Sequence, residues 1–146
     1  MRTTAVRDQD TLTADTILDL LANKRRRYLL YALQGYDEPV ALNVLSREVA
    51  GWEHDLPPEE VSQKDYKSVY VSSVQCHVPK MDDVGVVEHD PSDHTVELAE
   101  NYELLEPYLR LVILDEPEHS RLYESLPVGE EGLLQQAVDT VARLKP

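Results

Sequence analysis

The chain has 146 residues, of which 42% are hydrophobic, and carries a formal net charge of -14 from 28 acidic and 14 basic residues. This apolar fraction is enough for one modest core, and no run approaches the roughly 18 to 20 apolar residues of a membrane-spanning helix. The first residues lack the apolar segment of a signal peptide, and one cysteine, Cys76, cannot form an internal disulfide. We therefore expect a soluble, cytoplasmic protein with no membrane partner.

Charge is distributed unevenly along the chain. Residues 1–80 contain ten basic and twelve acidic residues, a net -2, whereas residues 81–146 contain four and sixteen, a net -12. A surface that binds anions is therefore expected in the first half, because the second half would repel phosphate. Nine of the basic residues are arginine and five are lysine, and this acid-rich, lysine-poor composition resembles that of proteins from salt-loving archaea.

The chain is predicted to open with an arm and two helices. Residues 1–12 are polar and are expected to form a loose arm. Apolar spacing predicts helices over 14–22 and 24–34, with a break or kink at Asn23 between them. Gly35 is the expected end of the second helix.

A short strand and a third helix are predicted next. Residues 39–42 are extended in character, and Asn43 is expected to cap the following helix, since its side chain can accept a hydrogen bond from an unpaired N–H. Residues 53–63 contain two prolines and several acids and predict a loop. The inward stripe of the third helix is expected to be Leu45, Val49 and Trp52.

A long helix is predicted over residues 64–82, with Gly85 ending it. Pro79 lies late in this helix and is expected to bend or shorten it, because proline removes one N–H and crowds the carbonyl four residues back. The predicted apolar stripe is Tyr66, Tyr70, Val74, His77, Val78 and Met81.

The second half of the chain predicts a hairpin followed by two helices. Residues 86–89 and 95–98 have strand composition, and the tip between them is rich in turn residues. The apolar residues 108–114 are predicted as helix, with Pro107 in its first turn. Residues 130–145 predict an amphipathic C-terminal helix. Its apolar face consists of Leu133, Leu134, Ala137, Val138, Val141 and Leu144.

Helix, short strand, helix, helix and hairpin is the element order of a winged helix-turn-helix domain. The predicted fold class is α+β, mainly α, with a two-stranded wing and an additional C-terminal helix. We divide the chain into a flexible arm (1–12), the winged helix-turn-helix domain (13–100) and a helical extension (101–146) that is a candidate dimerisation element.

The residues themselves resemble two groups of winged-helix proteins. Segment 20–30 resembles the opening segment of arsenic-repressor-type transcriptional regulators. Segment 77–87 resembles the end of their recognition helix together with the first strand of their wing. The resemblance is greater to an uncharacterised family of winged-helix domains from halophilic archaea, and it spans roughly residues 15–100. Runs similar to those of the family are NKRRRY at 23–28, SREVAGWE at 46–53 and HVPK at 77–80.

This resemblance implies a winged-helix fold and a generic DNA-binding role. Two features depart from the repressor pattern. Pro79 replaces an ordinary helix former, and the wing carries Glu88, Asp90 and Asp93, whereas most wings that enter the minor groove use Arg or Lys. We therefore expect the wing to be a poor DNA contact.

Two sets of residues are candidates for DNA contact. The first set is Arg25, Arg26 and Arg27. With Lys24 they form the densest positive run of the chain, residues 24–27, which could bind backbone phosphates. The alternative is a solvated helix end, or arginines paired with acids such as Asp19 and Glu48. The second set lies along the predicted long helix, whose amides and hydroxyls could read base edges, and the alternative there is an ordinary polar outer face. This second set is Lys64, Lys67, Ser68, Ser72, Gln75 and Lys80.

Other chemistries receive little support from the sequence. Cys76, His77, His89 and His94 lack the spacing of a metal site, because adjacent helical residues point about 100° apart. No phosphate-binding loop, nucleophile elbow or zinc-protease motif is present. We therefore expect no catalysis, no metal and no cofactor, and interpret the chain as a homodimeric, sequence-specific regulator of transcription that binds operator DNA. The alternative is a winged-helix module that binds proteins and never contacts DNA.

Overall fold

The computed structural model describes residues 12–116, which form a mainly helical α+β fold. The predicted fold class is therefore confirmed. The helices are α1 (Ala14–Leu21), α2 (Lys24–Leu33), α3 (Leu42–His54), α4 (Gln63–Ser72), α5 (Val78–Asp83) and α6 (Tyr102–Val112). The strands are β1 (Val40–Ala41), β2 (Val87–Asp90) and β3 (Thr95–Leu98). Most of the predicted arm and the whole predicted helix 130–145 lie outside the described residues.

The break between α1 and α2 is confirmed, and it is a helix cap. The Asn23 side-chain oxygen accepts hydrogen bonds from the backbone N–H groups of Arg25 (2.9 Å) and Arg26 (3.2 Å). These donors would otherwise be unpaired at the start of α2. Thr13 caps α1 in the same way by accepting from the Thr16 N–H, and Leu12, at the end of the predicted arm, is buried in the core.

The predicted Asn43 cap is wrong, because α3 begins at Leu42 directly after β1 and Asn43 lies inside its first turn. The Leu42 N–H donates instead to the His94 carbonyl next to β3 (2.9 Å), so the sheet fixes where the helix begins. Leu45, Val49 and Trp52 are buried as predicted.

The turn after α3 packs closely on Gly51. A Cβ at that position would lie 2.7 Å from the Leu56 carbonyl oxygen, closer than real contacts allow. Asp55 adopts the left-handed conformation (φ 57°) that reverses the chain towards α4. A short helix–turn–helix between α3 and α4 therefore requires glycine at position 51.

The predicted long helix is interrupted by a π-helical segment, Ser73–His77, between α4 and α5. Pro79 lies in the first turn of α5, and the widened turn precedes it. Proline crowds the carbonyl four residues back, here that of Gln75, so the chain relieves the clash by adding a residue to that turn. The predicted disturbance is confirmed, as a π-turn upstream of the proline.

The predicted stripe of the long helix is correct at its C-terminal end and offset at its N-terminal end. His77, Val78 and Met81 are buried, but the tyrosines at 66 and 70 are only half-buried. Val69 and Ser73 are the fully buried positions. Tyrosines can lie along the boundary of a core with their polar tips in water. The spacing of apolar residues in a sequence does not distinguish this half-burial from full burial.

The hairpin is confirmed and belongs to a three-stranded antiparallel sheet of order β1–β3–β2. Val40 pairs with Val96 and Val87 pairs with Leu98. Gly85 (φ 77°) makes the turn from α5 into β2 in a conformation that other residues rarely adopt.

Helix α6 covers the predicted helical segment as far as Val112, and a 3-10 turn, Ile113–Asp115, continues it. It begins six residues earlier than predicted, so Pro107 lies in its interior and not in its first turn. The start is fixed by Asn101, whose side-chain amide donates to the Val84 carbonyl (2.9 Å) and whose N–H donates to the Gly85 carbonyl (3.0 Å). Leu105 and Leu109 of α6 are buried in the common core.

The largest fully buried side chains come from nearly every helix. They are Tyr28, Tyr31, Leu20, Leu29, Leu30, Leu33, Leu42, Leu45, Met81, Leu105, Leu109 and Ile113. Around this core, the helical pair α3–α4 and the hairpin β2–β3 are arranged in a way that is compatible with a winged helix. No helix in residues 12–116 is long and apolar enough to cross a membrane.

Candidate nucleic-acid interface

The outer face of α4 forms a shallow depression, here called the α4 depression. Eight side chains line it: Arg25, Lys64, Lys67, Ser68, Val71, Ser72, Gln75 and Cys76. Six of these were candidates for DNA contact from the sequence, and the structure brings them together on one surface. The lining contains two hydroxyls, one amide and three cations but no acidic side chain.

Arg25 joins this face to the rest of the domain. Its guanidinium makes two hydrogen bonds to the Glu53 carboxylate, at 2.7 and 3.0 Å, and a third to the Ser72 hydroxyl at 3.2 Å. This forked ion pair fixes the start of α2 against the end of α3 and the side of α4. Because Glu53 balances the charge of Arg25, the net positive charge of the depression comes from Lys64 and Lys67.

Lys64 and Lys67 project from the first two turns of α4 and are exposed. Among the described residues, neither lysine has an ion-pair partner. The carboxylate of Asp65, which lies between them in sequence, is 3.6 Å from His54 Nε2. The lysine ammonium groups are therefore available to an anion.

The Arg26 side chain has a structural role inside the protein. Its side chain is buried, with 7% of the residue exposed. The guanidinium donates to the carbonyls of Leu20 (2.8 Å) and Asp19 (2.9 Å), and it lies 3.4 Å from His77 Nδ1. It therefore satisfies carbonyls at the C-terminal end of α1, and we remove it from the set of candidate DNA contacts.

Arg27 is also engaged within the protein. Its guanidinium bonds both oxygens of Glu116, at 2.6 and 3.1 Å, and the Leu21 carbonyl at 2.7 Å. The hydrogen bond to Glu116 raises the pKa of Arg27. Burial, followed by the nearby Glu116 charge, raises the pKa of Tyr31, whose hydroxyl donates to the same carboxylate. We remove Arg27 from the candidate set for the same reason as Arg26.

Lys80 lies on α5, outside the α4 depression. Its ammonium is 2.7 Å from the Asp19 carboxylate, and both side chains are largely exposed. The hydrogen bond from Lys80 lowers the pKa of Asp19. Exposed ion pairs of this kind contribute little to stability, so Lys80 is neither a structural anchor nor part of the depression.

His77 is buried next to Arg26. Burial, and then the positive charge of Arg26, lowers the pKa of His77 from 6.5 to about 4. The imidazole is therefore neutral near pH 7. Cys76, by contrast, is exposed in the depression. In the part of the chain that the structure describes, no group of three or more histidines, cysteines or carboxylates could hold a metal ion.

The wing is acidic at its tip. Residues around it include Glu88, Asp90, Asp93 and Glu97, and they line a second surface depression with Pro39. Hydrogen bonds from the Ser92 side chain and backbone lower the pKa of Asp90, so this carboxylate is charged. This surface repels DNA phosphate and contrasts with the α4 depression.

Sequence reasoning missed three residues of this region. It named Asp19 and Glu48 as acids that could pair with the arginines, but the carboxylates that do so are Glu53 and Glu116. Glu116 is 89 residues from Arg27, a distance over which no local pattern exists. Val71 could have been identified from the sequence, because a spacing of four residues places it between Lys67 and Gln75 on one helical face.

Comparisons with known proteins place the chain in one family. Neither curated proteins nor solved structures give a match to it. The model of a family described as a domain of unknown function, DUF7344, matches residues 18–97, which run from α1 to β3. The chain therefore belongs to the DUF7344 family.

Proposed function

We propose that this protein is a DNA-binding regulator of transcription that inserts α4 into the major groove. The observation that carries the proposal is the composition of the α4 depression. In a chain with 28 acidic residues, its lining has lysines, hydroxyls and an amide but no carboxylate. The resemblance to arsenic-repressor-type regulators supports the same role.

The proposed contacts follow from the chemistry of these side chains. A helix about 10 to 12 Å wide fits the major groove, which is about 12 Å wide. Lys64 and Lys67 contact phosphates on the groove edge, and Ser68 and Gln75 face base edges. Arg25 is a positioning residue, because its guanidinium is held by Glu53 and Ser72. The role is one of binding alone, without catalysis or a cofactor.

Salt is the main physical constraint on this proposal. Binding driven by counterion release weakens steeply with salt, with a logarithmic slope of about -0.9 per phosphate contact. With two lysines unpaired, the electrostatic part of binding is small and base contacts must supply much of the affinity. We therefore expect weaker salt dependence than that of an ordinary basic regulator.

The test is a fluorescence-anisotropy titration of the full chain with the DNA upstream of its own gene in concentrated potassium chloride. Replacing Lys64 and Lys67 together with alanine should weaken binding to all DNA sequences about equally and reduce the salt slope by about 2, and each single variant should reduce it by about 1. Lys80→Ala is the matched control, since it removes the same charge outside the depression and should bind like wild type. Unchanged affinity of the double variant would reject this site.

A homodimer is part of the proposal, because two-fold symmetry matches palindromic half-sites. The helix predicted at 130–145 is the proposed contact, and it lies outside the described residues. Light scattering of the full chain should give a mass of twice the monomer; a monomeric mass at binding concentrations contradicts this part.

The acidic wing favours a second candidate function, binding to a protein with a basic surface. Glu88, Asp90 and Glu97 lie on one depression, which suits a cationic partner and not DNA. If the titration finds no DNA binding, this candidate takes precedence. A charge-removing variant of the wing, Glu88→Gln with Asp90→Asn, would then weaken the partner complex and leave the fold intact.

A further inference from the structure

The α4 depression contains one exposed apolar side chain. Val71 keeps 38% of its surface exposed, whereas Val69, on the opposite side of α4, is fully buried. Lys67 precedes Val71 by one helical turn and Gln75 follows it by about one turn, so the valine lies among polar groups. The core does not require this side chain.

Among the described residues, Val71 is the only large hydrophobic side chain exposed on α4. The remaining large exposed hydrophobic residues of the described chain lie on other elements: Leu18, Tyr36, Val44 and Leu114. Protein-binding surfaces present contiguous apolar patches, which a single valine between a lysine and an amide does not provide. The positive charge of Lys64 and Lys67 around it favours a polyanion.

Double-stranded DNA presents one apolar group in its major groove, the 5-methyl group of thymine. We propose that Val71 is a specificity-determining residue that packs against this methyl group and so selects an A·T pair at one position. The inference rests on the proposed DNA-binding role of α4. Gln75, whose amide can pair with adenine, is about 6 Å further along the helix, or about two base pairs.

The probe for the experiment is a duplex selected from random-sequence DNA by the full chain in concentrated potassium chloride. The affinity of the protein for this duplex is measured by fluorescence anisotropy. The measurement is repeated with each thymine of the selected sequence replaced in turn by deoxyuridine. For wild type, loss of the one contacted methyl group should weaken binding about fourfold. Val71→Ala should bind the thymine and deoxyuridine forms with equal, reduced affinity, because the coupling between the two groups is lost.

Val44→Ala is the matched control. Val44 is 41% exposed on α3 and does not line the depression, so its variant should keep the fourfold preference for thymine. If Val71→Ala still discriminates fourfold, or binds as tightly as wild type, the role of Val71 is refuted while DNA binding stands. If the selection enriches no sequence, the proposed function itself fails.

Discussion

Arg26 provides the sharpest test of how the basic run 24–27 is used, because its guanidinium is enclosed within the protein. The proposed change is Arg26→Ala, which removes the donors to the Leu20 and Asp19 carbonyls, at 2.8 and 2.9 Å, and the contact with His77. From the sequence, this run was a candidate for binding backbone phosphates, with a solvated helix end or pairing with acids as the alternatives.

The expected cost follows from these hydrogen bonds. A hydrogen bond from a charged donor contributes about 1.5 to 3 kcal/mol, and a buried acceptor left unpaired loses a similar amount. The Asp19 carbonyl keeps its hydrogen bond from the Ala22 N–H (3.3 Å) after truncation, whereas the Leu20 carbonyl loses the Arg26 donor, so we expect a loss of about 3 kcal/mol in the free energy of unfolding. That is a large share of the roughly 5 to 15 kcal/mol that stabilises a domain.

The assay is urea unfolding followed by circular dichroism at fixed potassium chloride concentration, with DNA binding measured on the folded fraction. Lys67→Ala serves as the converse variant, with a stability change within about 0.5 kcal/mol and reduced DNA binding. The reasoning is refuted if Arg26→Ala unfolds like wild type but no longer binds DNA, because Arg26 would then be a DNA contact.

Two further predictions concern the interior. Glu116→Gln should destabilise the protein by about 3 kcal/mol, since it leaves the charge of Arg27 without a partner in a mostly buried site. Thermal melts check this against the conservative control Asp19→Asn, from the exposed ion pair with Lys80, and equal melting temperatures of the two variants would contradict it. Stability should also fall by about 3 kcal/mol between pH 7 and pH 4 because of His77, whose pKa of about 4 in the folded state lies below its ordinary 6.5, so the unfolded chain binds the proton first. Unfolding of His77→Gln should depend less steeply on pH over that window, and parallel curves for the two proteins would argue against the assignment.

Local patterns predicted the elements of this fold well. The Asn23 break and the hairpin each depend on neighbouring residues, as caps and turns do. The strand at 40–41 was also predicted, although its pairing with β3 is a tertiary contact. The Asn43 cap and the position of Pro107 were wrong because pairing with β3 and the hydrogen bonds of Asn101 set those helix starts, and both are tertiary contacts.

The candidate site was predicted only in part, because some of its features follow from local spacing and others depend on tertiary contacts. Lys64, Lys67 and Ser68 follow from helical spacing alone, and the structure brings them to one face. The three arginines could not be separated from each other by sequence, since adjacent helical residues point in different directions and meet different partners. Only the fold shows that Glu53 and Glu116 approach Arg25 and Arg27.

Arg25 and Arg27 leave the first turn of α2 towards opposite sides of the domain. One arginine is clamped to α3 and α4 through Glu53 and Ser72, and the other is clamped to Glu116, where the described chain ends. A displacement of Glu116 would therefore be transmitted to α4 through the first turn of α2, which has an arginine–carboxylate pair on each side.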